Sequence, residues 1–491
     1  MIFDAFLALF DIWVVLAMLV GIVIGVIIGA IPGLGPSMAI ALLIPVAFSM
    51  APIAAMLLLL GVYQGAIFGG SISAILLNVP GTPSAAATAL DGFPMAQKGE
   101  AGRALRIALF ASVFGNVFSC LVLLALAEPL ASVALDFGPA EMAVLILFAL
   151  LVIVLLGGDS KLDALIMVLV GVCAGVVGLD PIDGSPRFTF GSFDMESGFA
   201  LVPVLIGLFA LSEVLMQAAA PRRNDTAEMA ELRPSTLGWA EMWRMRVTLA
   251  ISSAIGTFIG ILPGIGSTIP AFMSYGLARS RSANPAAFGQ GTDEGVAAPE
   301  AANNAVTGGA LVPMLSLGIP GDAVTAVILG AFMLHGLAPG PFLFRNHGTE
   351  VYAIIEALLL ASIPTILIGL GLFKVAVHVI RIQPRHLFPV IAIMAVFGAF
   401  SVNNSLFDVW VMLGAGVLGF VLRRAGFPLP PLLIGLILGG ALEQAMRQAL
   451  LTSGGRLGIF VGSPIAIGFV ALSVLFTLGV LVLPLIRKGR A

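Results

Sequence analysis

Apolar residues run through most of this chain in long unbroken stretches, and polar residues gather in the short gaps between them. A helix needs about 20 apolar residues to cross the hydrocarbon core of a bilayer. Stretches at 105–127, 140–157, 161–179, 199–217, 351–373, 388–402, 409–422, 429–446 and 463–486 predict spanning helices, some of them short. Two further regions, 13–94 and 247–340, are apolar but repeatedly broken by Gly and Pro. The one long polar connection is 218–246. It divides the chain into a first membrane half, 1–217, and a second, 247–491. The pattern predicts an all-α polytopic membrane protein of about 10–14 membrane segments, with re-entrant or discontinuous helices in the two broken regions.

The broken regions repeat one another. Residues 28–37 read IGAIPGLGPS and 259–268 read IGILPGIGST. Further on, 69–83 read GGSISAILLNVPGTP and 308–323 read GGALVPMLSLGIPGDA. Each half therefore presents a PGxG motif, then Gly-Gly, then Pro-Gly. The spacing is longer in the second half, most simply through the polar stretch near 280–300. Two sets in one order predict a duplicated unit. Each PGxG segment is either one long broken helix or a hairpin that turns at PGxG. The following segments, 52–94 and about 301–340, are expected to span with a break at Pro-Gly.

Charge orients the two units. Basic connections (Lys98, Arg103 and Arg106; Arg222 to Arg246; Lys374 to Arg385; Arg423 and Arg424; Arg487 to Arg490) alternate with acidic or mixed ones. The positive-inside rule puts the basic set in the cytoplasm, with the N-terminus outside and the C-terminus inside. The first unit is then entered from outside and the second from the basic linker, which makes the pair inverted repeats of the kind secondary transporters use. Composition agrees with a membrane setting: 59% of residues are hydrophobic and 10% charged, against about 25% charged in an average soluble protein. The N-terminus has no basic residue ahead of its apolar run and does not read as a cleaved signal. Scattered basic residues exclude nucleic acid as a partner. Cys120 and Cys173 are expected to pack, and the four histidines form no metal motif.

An unwound backbone in a membrane frees carbonyls on one side of the break, which can hold a cation, and N–H groups on the other, which can hold an anion. Two inverted breaks meeting near the midplane would bind an anionic substrate with its coupling cation. The candidate substrate-binding residues are Asn78, Pro80, Gly81, Thr82, Pro83, Ser84 and Thr88 at the first break, and Gly318, Pro320, Gly321, Asp322 and Thr325 at the second. Candidate cation-binding residues are Gly33, Gly35 and Ser37, then Gly264, Gly266, Ser267 and Thr268, with Asn303 and Asn304. Asp322 is a carboxylate near mid-membrane and so a functional candidate by default. Simpler readings compete. Gly-Pro breaks can merely kink a helix, hydroxyls can bond their own backbone, and Asn116 is expected to tie helices together. Asp91 is expected to cap a helix or pair with Lys98, and Glu213 and Glu356 to reach interfacial water. An intramembrane protease would need a second catalytic group beside Asp322, and a passive channel would need no closed binding site.

PGLGP at 32–36, GGSISAILLNVPGTPSAAATALDGFPM at 69–95, LPGIGST at 262–268 and GTDEGVAAPEAANNAVTGGALVPMLSLGIPGDAVTAVILGA at 291–331 resemble the large membrane subunit of the tripartite tricarboxylate transporters, TctA. The resemblance covers nearly the whole chain. It implies a bacterial inner-membrane importer of tricarboxylates or related small organic carboxylates, driven by a sodium or proton gradient, and not an enzyme. It also implies two partners, a small membrane subunit of about four helices and a periplasmic solute-binding protein. No cofactor is implied beyond the coupling sodium or proton. The large subunit of a related dicarboxylate carrier is the alternative family. By composition the stretch 293–304 is a solvated loop, but its place in the signature puts it near the pathway, with Glu294 and Glu300 as N-caps or interface residues. Substrate is expected between the tips at 78–84 and 318–325, with the PGxG turns closing around it and the four tips moving together against the remaining helices.

Overall fold

The computed structural model describes residues 2–156, 160–219, 237–379 and 384–481. Most of the polar linker lies outside the described residues. The first half runs α1 (Ile2–Ala8), α2 (Ile12–Gly29), α3 (Pro36–Phe48), α4 (Pro52–Leu77), α5 (Ala85–Gln97), α6 (Ala101–Ala134), α7 (Pro139–Leu156), α8 (Lys161–Gly175), α9 (Leu201–Leu205) and α10 (Ser212–Ala219), with a π-helical turn at Ile206–Leu211 joining the last two. Strands β1 (Gly178–Leu179) and β2 (Pro186–Arg187) form a small antiparallel hairpin before α9. The second half runs α11 (Trp239–Arg244), α12 (Arg246–Ile261), α13 (Thr268–Arg281), α14 (Asp293–Leu317), α15 (Ala323–Leu334), α16 (Leu343–Leu360), α17 (Ser362–Val379), α18 (Pro384–Asn403), α19 (Leu406–Arg424), α20 (Leu429–Thr452) and α21 (Pro464–Leu481). Seven of the described helices are long and apolar enough to cross a membrane, or up to eight with the bent pair α16–α17, and shorter apolar helices accompany them. This is the all-α polytopic architecture the hydropathy pattern predicts.

Glycine decides which helices touch. Gly21, Gly25 and Gly29 on α2 face Leu58, Val62 and Ala66 on α4, and a Cβ at any of the three would lie within 2.5 Å of a backbone carbonyl. The contact is mutual, since Gly61, Gly65 and Gly69 on α4 face Met18, Ile22 and Val26. Spacing of four keeps each set on one helix face, and the missing side chains let two backbones meet, which is how helices associate where lipid removes the hydrophobic drive between them. The register rises along both helices, so α2 and α4 are parallel. In the second half Gly256 faces Ala302, Gly260 faces Val306 and Gly309 faces Thr257, which makes α12 and α14 parallel as well.

That register settles the path of the PGxG segments. The loop from α3 to α4 covers only residues 49–51, and α4 begins beside the start of α2. The chain must therefore turn at PGxG and run back along α3. The same holds for α12 and α13, because Thr248 near the start of α12 bonds Glu294 at the start of α14 at 3.3 Å. Both segments are hairpins, and the alternative of one long broken helix is excluded. Pro36 starts α3 where its missing N–H costs nothing.

Three expectations need revision. Residues 293–304 are not a loop. Thr292 caps α14 by accepting from Gly295 N, acidic Asp293 and Glu294 fill its first turn, and a run rich in alanine follows, so the helix starts at Asp293 and not near 301. The span expected over 351–373 begins earlier, at Leu343, and bends by 41° where α16 meets α17. It still runs antiparallel to α6 along its length, with Tyr352 at Glu128, Ser362 at Asn116 and Gly369 at Leu109. Cys120 is buried as expected, but Cys173 is exposed on the outer face of α8.

Candidate functional site

The two Pro-Gly breaks are built alike. α4 ends on Asn78 in the left-handed conformation (φ 56°), and α14 ends on Gly318 in the same region (φ 72°). Neither break is a simple kink. The first loop doubles back so that Gly81 N–H donates to Gly70 O at 3.1 Å, and a Cβ on Gly81 would lie 2.1 Å from Gly29 O. In the second, a Cβ on Gly321 would lie 2.6 Å from Ala310 Cα and 2.7 Å from Gly260 O, and Gly264 N–H of the PGxG turn donates to Gly321 O at 2.8 Å. Only glycine fits either place. Each break thus packs on its own long helix eleven residues upstream and on the end of its own hairpin.

Around these loops the candidate residues separate into groups. Asn78 and Pro83 are exposed, Pro80 is partly covered, and Gly81, Thr82 and Ser84 are buried, with the Thr82 and Ser84 hydroxyls 3.3 Å apart. Ser37, Ser267 and Thr268 are partly buried beside their turns, as are Gly35, Gly264 and Gly266, whereas Gly33 is exposed. Gly33 and Gly264 both hold positive φ at the turn itself. Gly318, Ile319 and Pro320 lead into Asp322, which is the N-cap of α15: its Oδ1 accepts from Thr325 N at 2.7 Å and from Thr325 Oγ1 at 2.8 Å. Its other oxygen accepts from Tyr63 of α4 at 2.7 Å.

A second, larger cluster gathers Thr88, Asn303 and Asn304 around a residue the sequence reading treated as a cap or interface group. Glu300 sits fully buried in α14. Its Oε1 accepts from Ser71 of α4 and Thr88 of α5, and its Oε2 accepts from Ser112 of α6 at 2.9 Å. Asn304 Nδ2 donates to Ser112 Oγ at 2.9 Å and to Asn303 Oδ1 at 2.5 Å. Asn303 Nδ2 is buried without a partner. No ion pair to Glu300 occurs among the described residues. At about 1.5 Å per residue, Glu300 lies about 10 Å along α14 from Asp293. Four helices from both halves therefore converge on one carboxylate. Tyr63 meets Asp322 while Ser71 meets Glu300, so α4 and α14 run antiparallel.

The surrounding polar groups lock this geometry. Asp91, expected to cap a helix or pair with Lys98, does neither. It accepts from Gly289, Gly291 and Thr292 N–H and from Tyr275 OH, so α5 clamps the loop that leads into α14. Lys98 instead donates to Gln290 O at 2.5 Å, and Arg103 forks onto Asp293 at 2.6 and 3.0 Å while also pairing with Glu241. Asn116 ties helices as expected, donating to Leu358 O and Ser362 Oγ and accepting from Thr307. Glu213 does not reach water as expected but is buried against Arg423 at 2.5 Å, whereas Glu356 is half-buried, with its Oε2 covered and without a partner among the described residues. Ser71, Ser112 and Tyr63 escape a reading by motif because their partners lie 188 to 259 residues away in sequence.

Comparison with known proteins agrees with this architecture. The model of the tripartite tricarboxylate transporter TctA family matches residues 15–434. An uncharacterized 52.8 kDa protein in the TAR-I ttuC' 3' region of Agrobacterium vitis is 38% identical over 453 residues, covering 92% of this chain and 89% of that protein. An uncharacterized protein in the TAR-II ttuC' 3' region of the same organism is 40% identical over 235 residues, 48% of this chain and 97% of that protein. No solved structure matches the chain. With the family model covering the breaks, the hairpins and the Glu300 cluster alike, this multi-pass membrane protein belongs to the tripartite tricarboxylate transporter TctA family, a family of transporter subunits that work with partner subunits.

Proposed function

We propose that the chain imports tricarboxylates or related small organic carboxylates across a bacterial inner membrane, driven by a sodium or proton gradient and fed by a periplasmic binding protein. A small membrane subunit of about four helices completes the complex. The Glu300 centre carries this reading. An ionised carboxylate buried away from water is costly unless a counter-charge sits beside it. The described residues offer the Glu300 carboxylate three hydroxyls but no cation. A proton or a sodium ion supplies what is missing, and either one makes Glu300 the residue through which an ion gradient acts. The carboxylate stands on α14 of one unit and its partners on α4 and α5 of the other, with α6 beside them, so occupancy of the centre bears directly on how the two units sit together.

The antiparallel course of α4 and α14 supports reading the two units as inverted repeats, with the substrate between the tips at Asn78–Ser84 and Gly318–Thr325 and a coupling cation near Asn303 and Asn304. The PGxG turns at Gly33–Ser37 and Gly264–Thr268 close over it. The test is uptake of labelled citrate into proteoliposomes holding this chain, its small partner and the binding protein, under an imposed sodium or proton gradient. Saturable uptake that follows one gradient is expected, and it names the ion. Uptake that stays linear with concentration and ignores both gradients would contradict the carrier reading.

A further inference from the structure

The arms of the second hairpin do not close along their whole length. Toward the base, away from the PGxG turn, α12 and α13 part around a cavity of about 390 Å³. Its walls come from one face of α12 (Arg244 just ahead of it, then Thr248 and Ser252) and one face of α13 (Ser274, Arg281). Glu294 at the start of α14 faces the same space and accepts from Thr248. The volume falls within the range of small-ligand sites.

Two features mark this cavity as built to hold something. Ser274 is 1% exposed, lines the cavity, and its hydroxyl has no partner. A buried hydroxyl is rarely left unpaired unless a ligand or water meets it. Arg244 and Arg281 also line the cavity, and among the described residues no ion pair or side-chain hydrogen bond engages either guanidinium, whereas nearby Arg103 and Arg246 are both engaged. Guanidinium groups match the planar oxygens of carboxylates and phosphates. Two of them outweigh the single carboxylate of Glu294, which is already held by Thr248.

We propose that this cavity is a second anion site, at the base of the α12–α13 hairpin, taking a carboxylate- or phosphate-bearing small molecule between Arg244, Arg281 and Ser274. Resting on the carrier reading for its direction, it deepens that reading. The base of the hairpin is the basic, cytoplasmic end, so a carboxylate released from the tips meets this site on its way out. The same chemistry fits the headgroup of an anionic lipid, and the experiment separates the two.

Ser274→Cys is introduced with Cys173→Ala, and its alkylation by a membrane-permeant maleimide is followed in nanodiscs of the full complex. Lipids are either purely zwitterionic or contain an anionic phospholipid. Citrate should slow labelling in the zwitterionic discs. Arg244→Gln or Arg281→Gln should raise the half-protecting concentration about tenfold, while Arg279→Gln, on the same helix but outside the cavity, should leave it unchanged. Equilibrium binding of labelled citrate to Arg244→Gln and Arg281→Gln, both without the cysteine, gives a second reading if Ser274→Cys does not fold. Protection only by the anionic phospholipid would overturn the exit site in favour of a lipid site. No protection by either, or equal protection in Arg279→Gln and Arg281→Gln, would overturn the anion site altogether. Gradient-driven uptake by the same variants in proteoliposomes keeps that failure distinct from failure of the carrier reading.

Discussion

Two buried carboxylates, Glu300 and Asp322, sit on neighbouring elements and are held in different ways. Asp322 is held by its own turn: it caps α15 through Thr325 and receives one bond from Tyr63. Glu300 receives no hydrogen bond to its carboxylate from its own helix, and its oxygens are occupied by hydroxyls from α4, α5 and α6. A cap has a sufficient local purpose, because the N-terminal N–H groups of a helix need acceptors. A carboxylate in mid-helix has none. It is better made apolar unless it binds something, since replacing a buried charge with a hydrophobic group is often neutral or stabilising. The comparison moves the centre of the mechanism from the Pro-Gly tip to the middle of α14.

Substituting the two acids separates these roles most sharply. Glu300→Gln keeps the size and can still accept hydrogen bonds, but it cannot carry a negative charge. Gradient-driven uptake should fall by at least about 100-fold, with expression and thermal stability near those of the parent. Asp322→Asn, which can still cap α15, should keep uptake within about threefold, and Asp322→Ala should lower stability by about 1–3 kcal/mol by leaving cap and Tyr63 unpaired. Thermal unfolding in detergent beside an uptake assay distinguishes lost capping from lost coupling.

The next contrast concerns what holds Thr88 against Glu300. Gly81→Ala places a methyl 2.1 Å from Gly29 O and 2.7 Å from Gly70 Cα, both backbone, and must push the loop before α5 away. A loss of about 1–3 kcal/mol in stability is expected, with uptake falling too. Gly35→Ala, at negative φ with nothing within 4 Å, should change neither. Equal effects at the two positions would show that close packing of the break is not what organises the site.

A third acid gives the smallest effect. Asp180 in the β1–β2 hairpin is held well below the usual carboxylate range, at about 2, by N–H bonds from Ile182 and Asp183 and by Arg447. A depressed folded-state pKa contributes stability that is full above the unfolded value of about 3.9 and disappears as pH falls toward 2. The hydrogen-exchange protection factor over residues 178–187, which corrects for the intrinsic pH dependence of exchange, should therefore be unchanged between pH 7 and 5 and fall only below about pH 4. Protection already lost at pH 6 would show that Asp180 does not hold the hairpin.

Much of the fold is legible in the sequence, because a bilayer imposes length and hydropathy on every span. α6, α7, α19 and α20 lie where apolar runs place them. The hairpins stay ambiguous, because apolar continuity reads the same through a turn as through a kink. What resolves them is the glycine spacing at 21, 25, 29 and at 61, 65, 69, a signal present in the sequence but silent about its partner helix. Asp322 and the tips stand out because Gly and Pro mark them. Glu300 does not, because its alanine-rich setting has no punctuation and its ligands Ser71, Thr88 and Ser112 come from other helices. Only the family signature spanning 291–331 points toward it.

The most direct test of the central role given to Glu300 compares two modes of transport in one Glu300→Gln preparation. Uphill uptake of citrate needs net movement of the coupling ion, whereas exchange of labelled for unlabelled citrate at equal concentrations needs only that the loaded site form and move: a protonated Glu300 is mimicked by Gln, but a sodium ion it holds is lost with the charge. The account predicts that Glu300→Gln loses uphill uptake under either gradient, while Asp322→Asn retains it. Exchange that persists in Glu300→Gln would assign the proton, and exchange lost together with uptake would assign sodium. Accumulation of citrate by Glu300→Gln at the parent rate and gradient would contradict the account.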